Sequence, residues 1–193
     1  MRKLHHLTLS PFCRKVRLVL AEKKLEVELI EESVWEKRLD FLRLSPSGKV
    51  PLLRDGKDVF SESTAISELL DESHPIPKLI PVDKKLRFEA RRLNNWFDDK
   101  FHKEVGSLII HEKIDRRFMN HEQGGGTPDM ENVRIGLHNL KIHLEYICYL
   151  LSQRDWLAGQ ELSIADITAA AHLSCLDYTG DICLLYTSPS PRD

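Results

Sequence analysis

The stretch Ser10-Pro11-Phe12-Cys13-Arg14-Lys15-Val16 decides how this chain begins to fold. The apolar run before it, residues 4–9, predicts a strand, and the apolar residues within and after it recur at helical spacing. A strand therefore turns into a helix here, and the turn carries the hydroxyl of Ser10 and the thiol of Cys13. Because the first turn of a helix has unpaired N–H groups and the positive end of the helix dipole, this turn can stabilise an anion such as a thiolate.

The first 75 residues alternate between strand and helix patterns. Beyond the opening strand and helix, the sequence predicts a second strand, a polar helical segment, a hairpin around Asp55-Gly56-Lys57 and a third helix from Ser63. The order β-α-β-α-β-β-α is typical of a compact α/β domain with a crossover connection.

The chain changes character after the prolines that punctuate residues 76–82, which are predicted to be a linker. Over residues 83–181 every strong pattern is helical, including a long apolar stripe over residues 133–151 at steps of three and four. The predicted fold class is therefore α/β followed by all-α. Residues 182–193 break the helical pattern abruptly, so they are interpreted as a non-native tail and the helical half is expected to be truncated.

The composition excludes several classes of function. The 193 residues carry a net charge of −2, so the charge does not favour a nucleic-acid partner. No apolar run is long enough to span a membrane and no signal peptide is present, so we expect a cytoplasmic protein with no membrane partner. The four cysteines form no C-x-x-C pair and the histidines lack the spacing of metal ligands, so we expect a reduced chain without a metal site.

Two further motifs lie in the α/β half. Lys49-Val50-Pro51 leads into a strand, and if the Val50–Pro51 bond is cis, the N–H and C=O of Val50 can pair with an extended peptide. Glu62-Ser63 precedes an apolar helix, so Glu62 offers a negative charge to an ammonium group and the helix N–H groups can hold a carboxylate. With the Ser10 turn, these motifs predict a receptor for a small peptide that carries a thiol, an amide and a terminal α-amino acid group. Glutathione fits that description.

A fourth motif lies late in the helical half. Ser163 and Asp166 stand three residues apart at the start of an apolar helix, which is a capping-box arrangement with Asp in place of Glu. We expect these two residues to have a structural role as an N-cap, worth about 1 kcal/mol of stability.

Taken in order, the motifs resemble the cytosolic glutathione transferase superfamily. They are Ser-Pro-x-Cys after the first strand, Pro-x-Gly-Lys-Val-Pro, Glu-Ser before the third helix, and Leu-Ser-Ile-Ala-Asp in the helical half. The resemblance covers residues 1–181 and implies a thioredoxin-like glutathione-binding domain over residues 1–75 and a helical C-terminal domain over residues 83–181, usually in a homodimer. It also implies glutathione as co-substrate and a small electrophile as the second substrate.

The resemblance implies roles for individual residues. Ser10 resembles the hydroxyl that hydrogen-bonds the glutathione thiolate. Val50 resembles the backbone partner of the cysteinyl residue, and Pro51 resembles the cis-proline. The remaining implied glutathione contacts are Glu62 and Ser63 at the γ-glutamyl group, with Lys49 and Arg14 near the carboxylates.

The implied reaction is nucleophilic attack by the bound thiolate on an electrophile. A free thiol has a pKa of about 8.5, so a donor hydroxyl and a helix N-terminus are needed to favour the anion at neutral pH. Cys13 is the alternative reactive group, and its chemistry would be disulfide exchange with glutathione. The sequence leaves the choice between Ser10 and Cys13 open, and it indicates no particular electrophile.

Several phrases of the helical half resemble one branch of the superfamily, the alphaproteobacterial glutathione-transferase-like proteins that bind the division protein FtsZ. Examples are Trp96-Phe97-Asp98-Asp99-Lys100-Phe101 and Arg154-Asp155-Trp156-Leu157-Ala158-Gly159. This resemblance implies an alternative function, a non-catalytic dimer that binds FtsZ through its helical half and regulates bacterial cell division. Two hypotheses therefore stand, a glutathione transferase and a scaffold for FtsZ.

Overall fold

A computed structural model describes residues 1–183 of the chain. Residues 184–193, which make up most of the predicted tail, lie outside the described residues. The described part confirms the predicted fold class, because a thioredoxin-like α/β half precedes a helical half. Within residues 1–183, no helix combines the length and the apolar character that a membrane span requires.

The α/β half follows the predicted order of strands and helices. Its elements are β1 (Arg2–His6), α1 (Pro11–Glu22), β2 (Val27–Glu31), a 3₁₀ turn (Val34–Glu36), α2 (Leu39–Leu44), β3 (Leu52–Asp55), β4 (Asp58–Ser61) and α3 (Ser63–Ser73). The strands form one sheet in the order β2-β1-β3-β4. β1 is parallel to β2 and antiparallel to β3, and β3 forms a hairpin with β4. The α1 helix is thus the crossover between the two parallel strands.

The core of the α/β half explains the position of the turn at Ser10. Leu4 in β1 is paired with Leu29 of β2 and Leu53 of β3, and the side chains of Leu4 and Leu53 are buried. The α1 helix buries one face, including Val16, because its apolar residues recur at helical spacing. It begins at Pro11, soon after β1 ends, so Ser10 is held between the sheet and the first turn of the helix.

The helical half consists of segments that follow one another closely. They are α4 (Lys84–Trp96), a π-helical segment (Phe97–Gly106), α5 (Ser107–Ile110), a second π-helical segment (His111–Asp115), α6 (Arg116–Phe118), a 3₁₀ turn (His121–Gln123), α7 (Met130–Gln153) and α8 (Ile164–Tyr178). Asp83 caps α4, because its carboxylate accepts hydrogen bonds from the N–H groups of Lys85 at 2.9 Å and Leu86 at 3.0 Å.

A capping box at the start of α8 has the residues that the sequence motif selects. The Ser163 hydroxyl oxygen accepts from the N–H of Ala165 at 3.3 Å, and the Asp166 carboxylate accepts from the N–H of Ser163 at 2.9 Å. The second oxygen of Asp166 accepts from the N–H of Leu157 at 2.7 Å, so the same carboxylate also fixes the preceding loop. This cap directs α8 into the centre of the molecule, where it packs against α1 and α4.

The two halves meet over one continuous core. Buried residues of β1 and α1 belong to the same apolar cluster as residues of α4, α7 and α8. The interval between α3 and α4 contains the predicted linker, residues 76–82, and a buried ion pair anchors it. Lys23 contacts Asp71 at 2.6 Å and the carbonyl oxygen of His74 at 2.7 Å, while Asp71 accepts from the N–H of Leu79 at 2.8 Å. The predicted domain limits at residues 75 and 83 stay predictions.

Candidate functional site

A cleft of about 850 Å³ lies between the two halves. The α/β half contributes the turn before α1, the loop before β3 and the start of α3 to its lining. The helical half contributes the wall formed by residues 102–118 and Tyr178 from the end of α8. Pockets at the junction of two structural units are common binding sites, so this cleft is the candidate functional site.

Ser10 is the N-cap of α1 and lines the cleft. Its hydroxyl oxygen accepts a hydrogen bond from the N–H of Cys13 at 3.4 Å. Pro11 occupies the first helical position, where its missing N–H is not needed. The Ser10 hydroxyl therefore sits at the positive end of the α1 dipole and beside open space, which is the environment that favours a bound anion.

Cys13, the alternative reactive residue, is not brought to the cleft. Its side chain is 0% exposed, and its sulfur accepts from the N–H of Leu7 at 3.5 Å inside the molecule. Burial raises the pKa of the Cys13 thiol to about 11, although its contacts with Ser10 and Leu7 act in the opposite direction. A thiol with this pKa carries almost no thiolate at neutral pH, and disulfide exchange requires the thiolate.

The loop before β3 places Lys49, Val50 and Pro51 in the lining of the cleft. The Val50–Pro51 peptide bond is cis. Ser45 is buried under the loop and its hydroxyl donates to the carbonyl oxygen of Lys49 at 3.2 Å. Gly48 has a φ of +64°, a left-handed conformation that favours glycine, so the loop conformation depends on this residue. The Lys49 side chain is exposed and contributes a positive charge to the rim of the cleft.

The start of α3 places Glu62 and Ser63 in the same lining. Glu62 has a φ of +69°, which is strained for a residue with a side chain. The first hydrogen bond of the helix runs from the N–H of Ile66 to the carbonyl oxygen of Glu62 at 2.9 Å, and no side chain caps this end. The N–H groups of residues 63–65 therefore precede the first hydrogen bond within the helix. Such N–H groups at helix N-termini bind carboxylates and phosphates.

Arg14 is not among the residues that line the cleft. Its guanidinium lies 3.7 Å from the sulfur of Cys175 in α8. The structure thus brings Ser10, Lys49, Val50, Pro51, Glu62 and Ser63 to one cleft, and it places Cys13 and Arg14 elsewhere.

The sequence did not identify the wall that the helical half contributes. Two rows of residues at steps of four form most of it: His102, Gly106, Ile110, Ile114 and Phe118, with Ser107, His111 and Asp115 beside them. A spacing of four along a helix places side chains on one face, so this periodicity is the signal that could have found the wall. The first row is mostly apolar, and the second carries an imidazole–carboxylate contact of 3.4 Å between His111 and Asp115.

Trp35, in the 3₁₀ turn after β2, also lines the cleft and has no signal in its surrounding sequence. Opposite the mostly apolar first row of the helical wall, the α/β half presents a hydroxyl, a helix N-terminus, a carboxylate and an ammonium group. Among residues 1–183, no group of three or more His, Cys, Asp or Glu side chains could hold a metal ion. The arrangement suits a ligand with a charged polar body and a second ligand with apolar surface.

Comparisons with known proteins agree with this division. The family model described as glutathione S-transferase, N-terminal domain, matches residues 4–78, and that described as glutathione S-transferase, C-terminal domain, matches residues 109–191. FtsZ-localized protein A from Caulobacter vibrioides is 44% identical over 185 residues, which cover 94% of this chain and 79% of that protein.

Solved structures are similar over nearly the whole chain. A glutathione S-transferase from Rhodospirillum rubrum F11 superposes with a TM-score of 0.90 at 43% identity, covering 95% of this chain and 81% of the other. FzlA from C. crescentus superposes with a TM-score of 0.89 at 44% identity, covering 94% of this chain and 80% of the other.

Proposed function

This chain belongs to the glutathione S-transferase family, and from that premise we propose that it binds glutathione and activates its thiolate for transfer to an electrophile. The observation that carries the proposal is the convergence of three separate motifs on one cleft. The Ser10 turn, the loop that ends at Pro51 and the start of α3 are far apart in sequence and line the same space.

Each group of the tripeptide has a counterpart in the cleft. The N-terminus of α3 beside Ser63 offers N–H donors to the γ-glutamyl carboxylate, and Glu62 offers a negative charge to the ammonium group. Val50 offers its backbone to the cysteinyl residue, and Lys49 offers a positive charge to the glycyl carboxylate. These contacts would place the thiol near Ser10.

Activation of the thiol follows from the position of Ser10. The hydroxyl donates a hydrogen bond to the sulfur, and the N-terminal end of α1 adds favourable potential, so the thiol releases its proton to solvent more readily. Lowering a thiol pKa by about two units corresponds to about 2.7 kcal/mol of preferential stabilisation of the thiolate. The sulfur lone pair then forms the bond to the electrophilic carbon, whose leaving group or π-electron pair departs from that carbon.

The test is titration calorimetry with glutathione, followed by initial rates with an electrophile, using the 193-residue chain. We expect the wild-type chain to bind glutathione with a millimolar or lower dissociation constant, and Ser10→Ala to retain that affinity within several-fold. The rate of Ser10→Ala at neutral pH should fall about 100-fold, because one donor to the reacting anion is lost. Ser33→Ala is the matched control, since Ser33 lines the same half of the cleft without capping a helix through its side chain.

Cys13→Ala decides between the two reactive groups. Because the thiol is buried, we expect this variant to retain glutathione-dependent activity. If Cys13→Ala removes the activity while Ser10→Ala keeps it, the reaction is disulfide exchange at Cys13. If the wild-type chain releases no heat with glutathione at millimolar concentration, the transferase proposal is wrong.

The 44% sequence identity to FtsZ-localized protein A favours a second candidate function. As the alternative, we propose a non-catalytic homodimer in the cytoplasm that binds FtsZ through its helical half and regulates cell division. The test is co-pelleting with polymerised FtsZ, together with sedimentation to measure the mass of the free protein. If this hypothesis is right, the protein is a dimer, and the wild-type chain and Ser10→Ala pellet with the polymer to the same extent. A protein that stays in the supernatant contradicts it.

A further inference from the structure

His102 is a polar residue on the otherwise apolar row of the helical wall. It lies in the first π-helical segment, four residues before Gly106, and both residues line the cleft. Phe12, from the first turn of α1, packs its ring edge-to-face with the His102 ring at a centroid distance of 4.7 Å. Ser10 lies two residues before Phe12, so His102 faces the turn that would hold the glutathione thiol.

The orientation of the His102 ring is fixed on three sides. Phe12 and His172 pack against it, with the His172 ring at 5.9 Å. On the third side is Gly106, where a Cβ atom would lie 3.0 Å from Nδ1 and 3.8 Å from the carbon between the two ring nitrogens. The Nδ1 edge of the imidazole therefore rests on the backbone of Gly106, and Nε2 lies on the edge that faces away from it.

The proton of the neutral ring belongs on Nε2. Nδ1 is buried and has no hydrogen-bond partner, whereas Nε2 is not among the buried unpartnered atoms of the described residues. A buried N–H without an acceptor costs more than a buried lone pair, so Nδ1 is the unprotonated nitrogen. Burial lowers the pKa of His102 to about 4, so the ring is neutral at pH 7. His172 also lowers this pKa, by more than Asp98 raises it.

We propose that His102 is a catalytic hydrogen-bond donor, which selects electrophiles that gather negative charge on an oxygen, namely α,β-unsaturated carbonyl compounds. The proposal rests on the proposed function, because it needs a glutathione thiolate beside Ser10. The apolar body of such a substrate would lie along Ile110 and Ile114, which follow His102 on the same row of the wall.

The reaction balances without any further reagent. The thiolate sulfur forms a bond to the β-carbon, and the π-electron pair of the alkene moves through the α-carbon onto the carbonyl oxygen. Nε2–H of His102 donates a hydrogen bond to this enolate oxygen as its charge rises. A proton from water then adds to the α-carbon and restores the carbonyl, which replaces the proton that the thiol released.

The experiment compares two electrophiles and two variants in the presence of glutathione. One electrophile is trans-4-phenylbut-3-en-2-one, whose carbonyl oxygen becomes charged, and the other is 1-iodohexane, whose leaving group is iodide. His102→Phe keeps an aromatic ring against Phe12 but removes the donor. His102→Gln retains an N–H donor at about the distance of Nε2.

With the enone, we expect kcat/KM of His102→Phe to fall about 30-fold, because one donor to a developing oxyanion is lost. With 1-iodohexane we expect kcat/KM of His102→Phe to change by less than about threefold. With the enone, His102→Gln should keep most of the wild-type activity, because it retains a donor. Equal losses with both electrophiles, or no loss with the enone, overturn the role of His102. Activity with 1-iodohexane then still supports the transferase proposal. Absence of both glutathione binding and activity in wild type overturns the two proposals together.

Discussion

Buried histidines make the stability of this chain depend on pH. Desolvation lowers the pKa of His5, His6, His102 and His172, so each is neutral in the folded state at neutral pH. For His102 the value falls from 6.5 to about 4. Because the unfolded chain binds a proton near pH 6.5 and the folded chain does not, the stabilisation is present above pH 6.5 and is lost as the pH falls towards 4.

We expect acidification from pH 7 to pH 5 to lower the free energy of unfolding by about 2 kcal/mol through His102 alone. The measurement is urea unfolding followed by circular dichroism at several pH values in this window. In His102→Phe this contribution is absent, so the loss in free energy of unfolding between pH 7 and pH 5 should be smaller by about 2 kcal/mol. The other histidines still contribute to the loss that remains. Parallel pH profiles for wild type and His102→Phe would show that His102 does not titrate as described.

The residues of the candidate site that can be predicted from the sequence are those that lie in short local motifs. Ser10, Val50 and Glu62 each lie in a short motif with a turn, a proline or a helix start beside it, so each could be selected as a candidate without knowing the fold. His102 and Trp35 have no such motif, and only the folded structure brings them to the lining of the cleft. Their selection depends on tertiary packing, which a short motif does not encode.

Gly136 controls how closely helix α7 approaches α5. A Cβ atom at this position would lie 2.8 Å from a side-chain carbon of Ile109 and 3.1 Å from Cβ of Leu108. Ile109 is fully buried, so it has little room to move. The sequence shows an apolar stripe along α7 but does not show which residue meets the neighbouring helix.

We expect Gly136→Ala to destabilise the protein by about 1–2 kcal/mol, measured by urea unfolding. Overpacking costs about 1–3 kcal/mol, and the gain of about 1 kcal/mol in helix propensity offsets part of it. Lys141→Ala is the control, because this position is exposed on the same helix and should change the stability by less than about 0.5 kcal/mol. If Gly136→Ala is as stable as wild type or more so, helix α7 can shift to accommodate the methyl group.

Boundaries of elements were less predictable than their order. The first helix ends at Glu22, and Lys24 just beyond it adopts a left-handed φ of +55°. The predicted polar helical segment after β2 divides into a 3₁₀ turn and α2, because Lys37 has a φ of +50°. Lysine rarely adopts this conformation, so an apolar pattern gives no warning of either break.

A buried polar network joins the two halves of the molecule. Lys15 of α1 is fully buried, and its ammonium group contacts Asp98 of the helical half, Thr64 of α3 at 3.1 Å and Asn94 of α4 at 3.2 Å. His172 of α8 contacts the second oxygen of Asp98 at 3.3 Å. The sequence predicts the two halves separately, but the pairing of Lys15 with a residue 83 positions away depends on their packing.

Because both halves share this network and one apolar core, we expect them to unfold together. Lys15→Met should destabilise the chain by about 3 kcal/mol, since it leaves a largely buried carboxylate without its cation. Arg91→Met is the matched control, because Arg91 and Glu68 also connect the helical half to α3, but their ion pair is partly exposed. Loss of such a pair should cost less than about 1 kcal/mol.

Two measurements distinguish a shared unfolding transition from two independent ones. They are unfolding in urea and amide hydrogen exchange, the latter monitored separately in β1 and α7. If the network couples the halves, Lys15→Met lowers protection in β1 and α7 by the same free energy, and Arg91→Met lowers neither substantially. A variant in which β1 loses protection while α7 keeps it would mean that the helical half is stable alone. The cleft would then lie between two units that open independently, and the wall that carries His102 could separate from Ser10 without global unfolding.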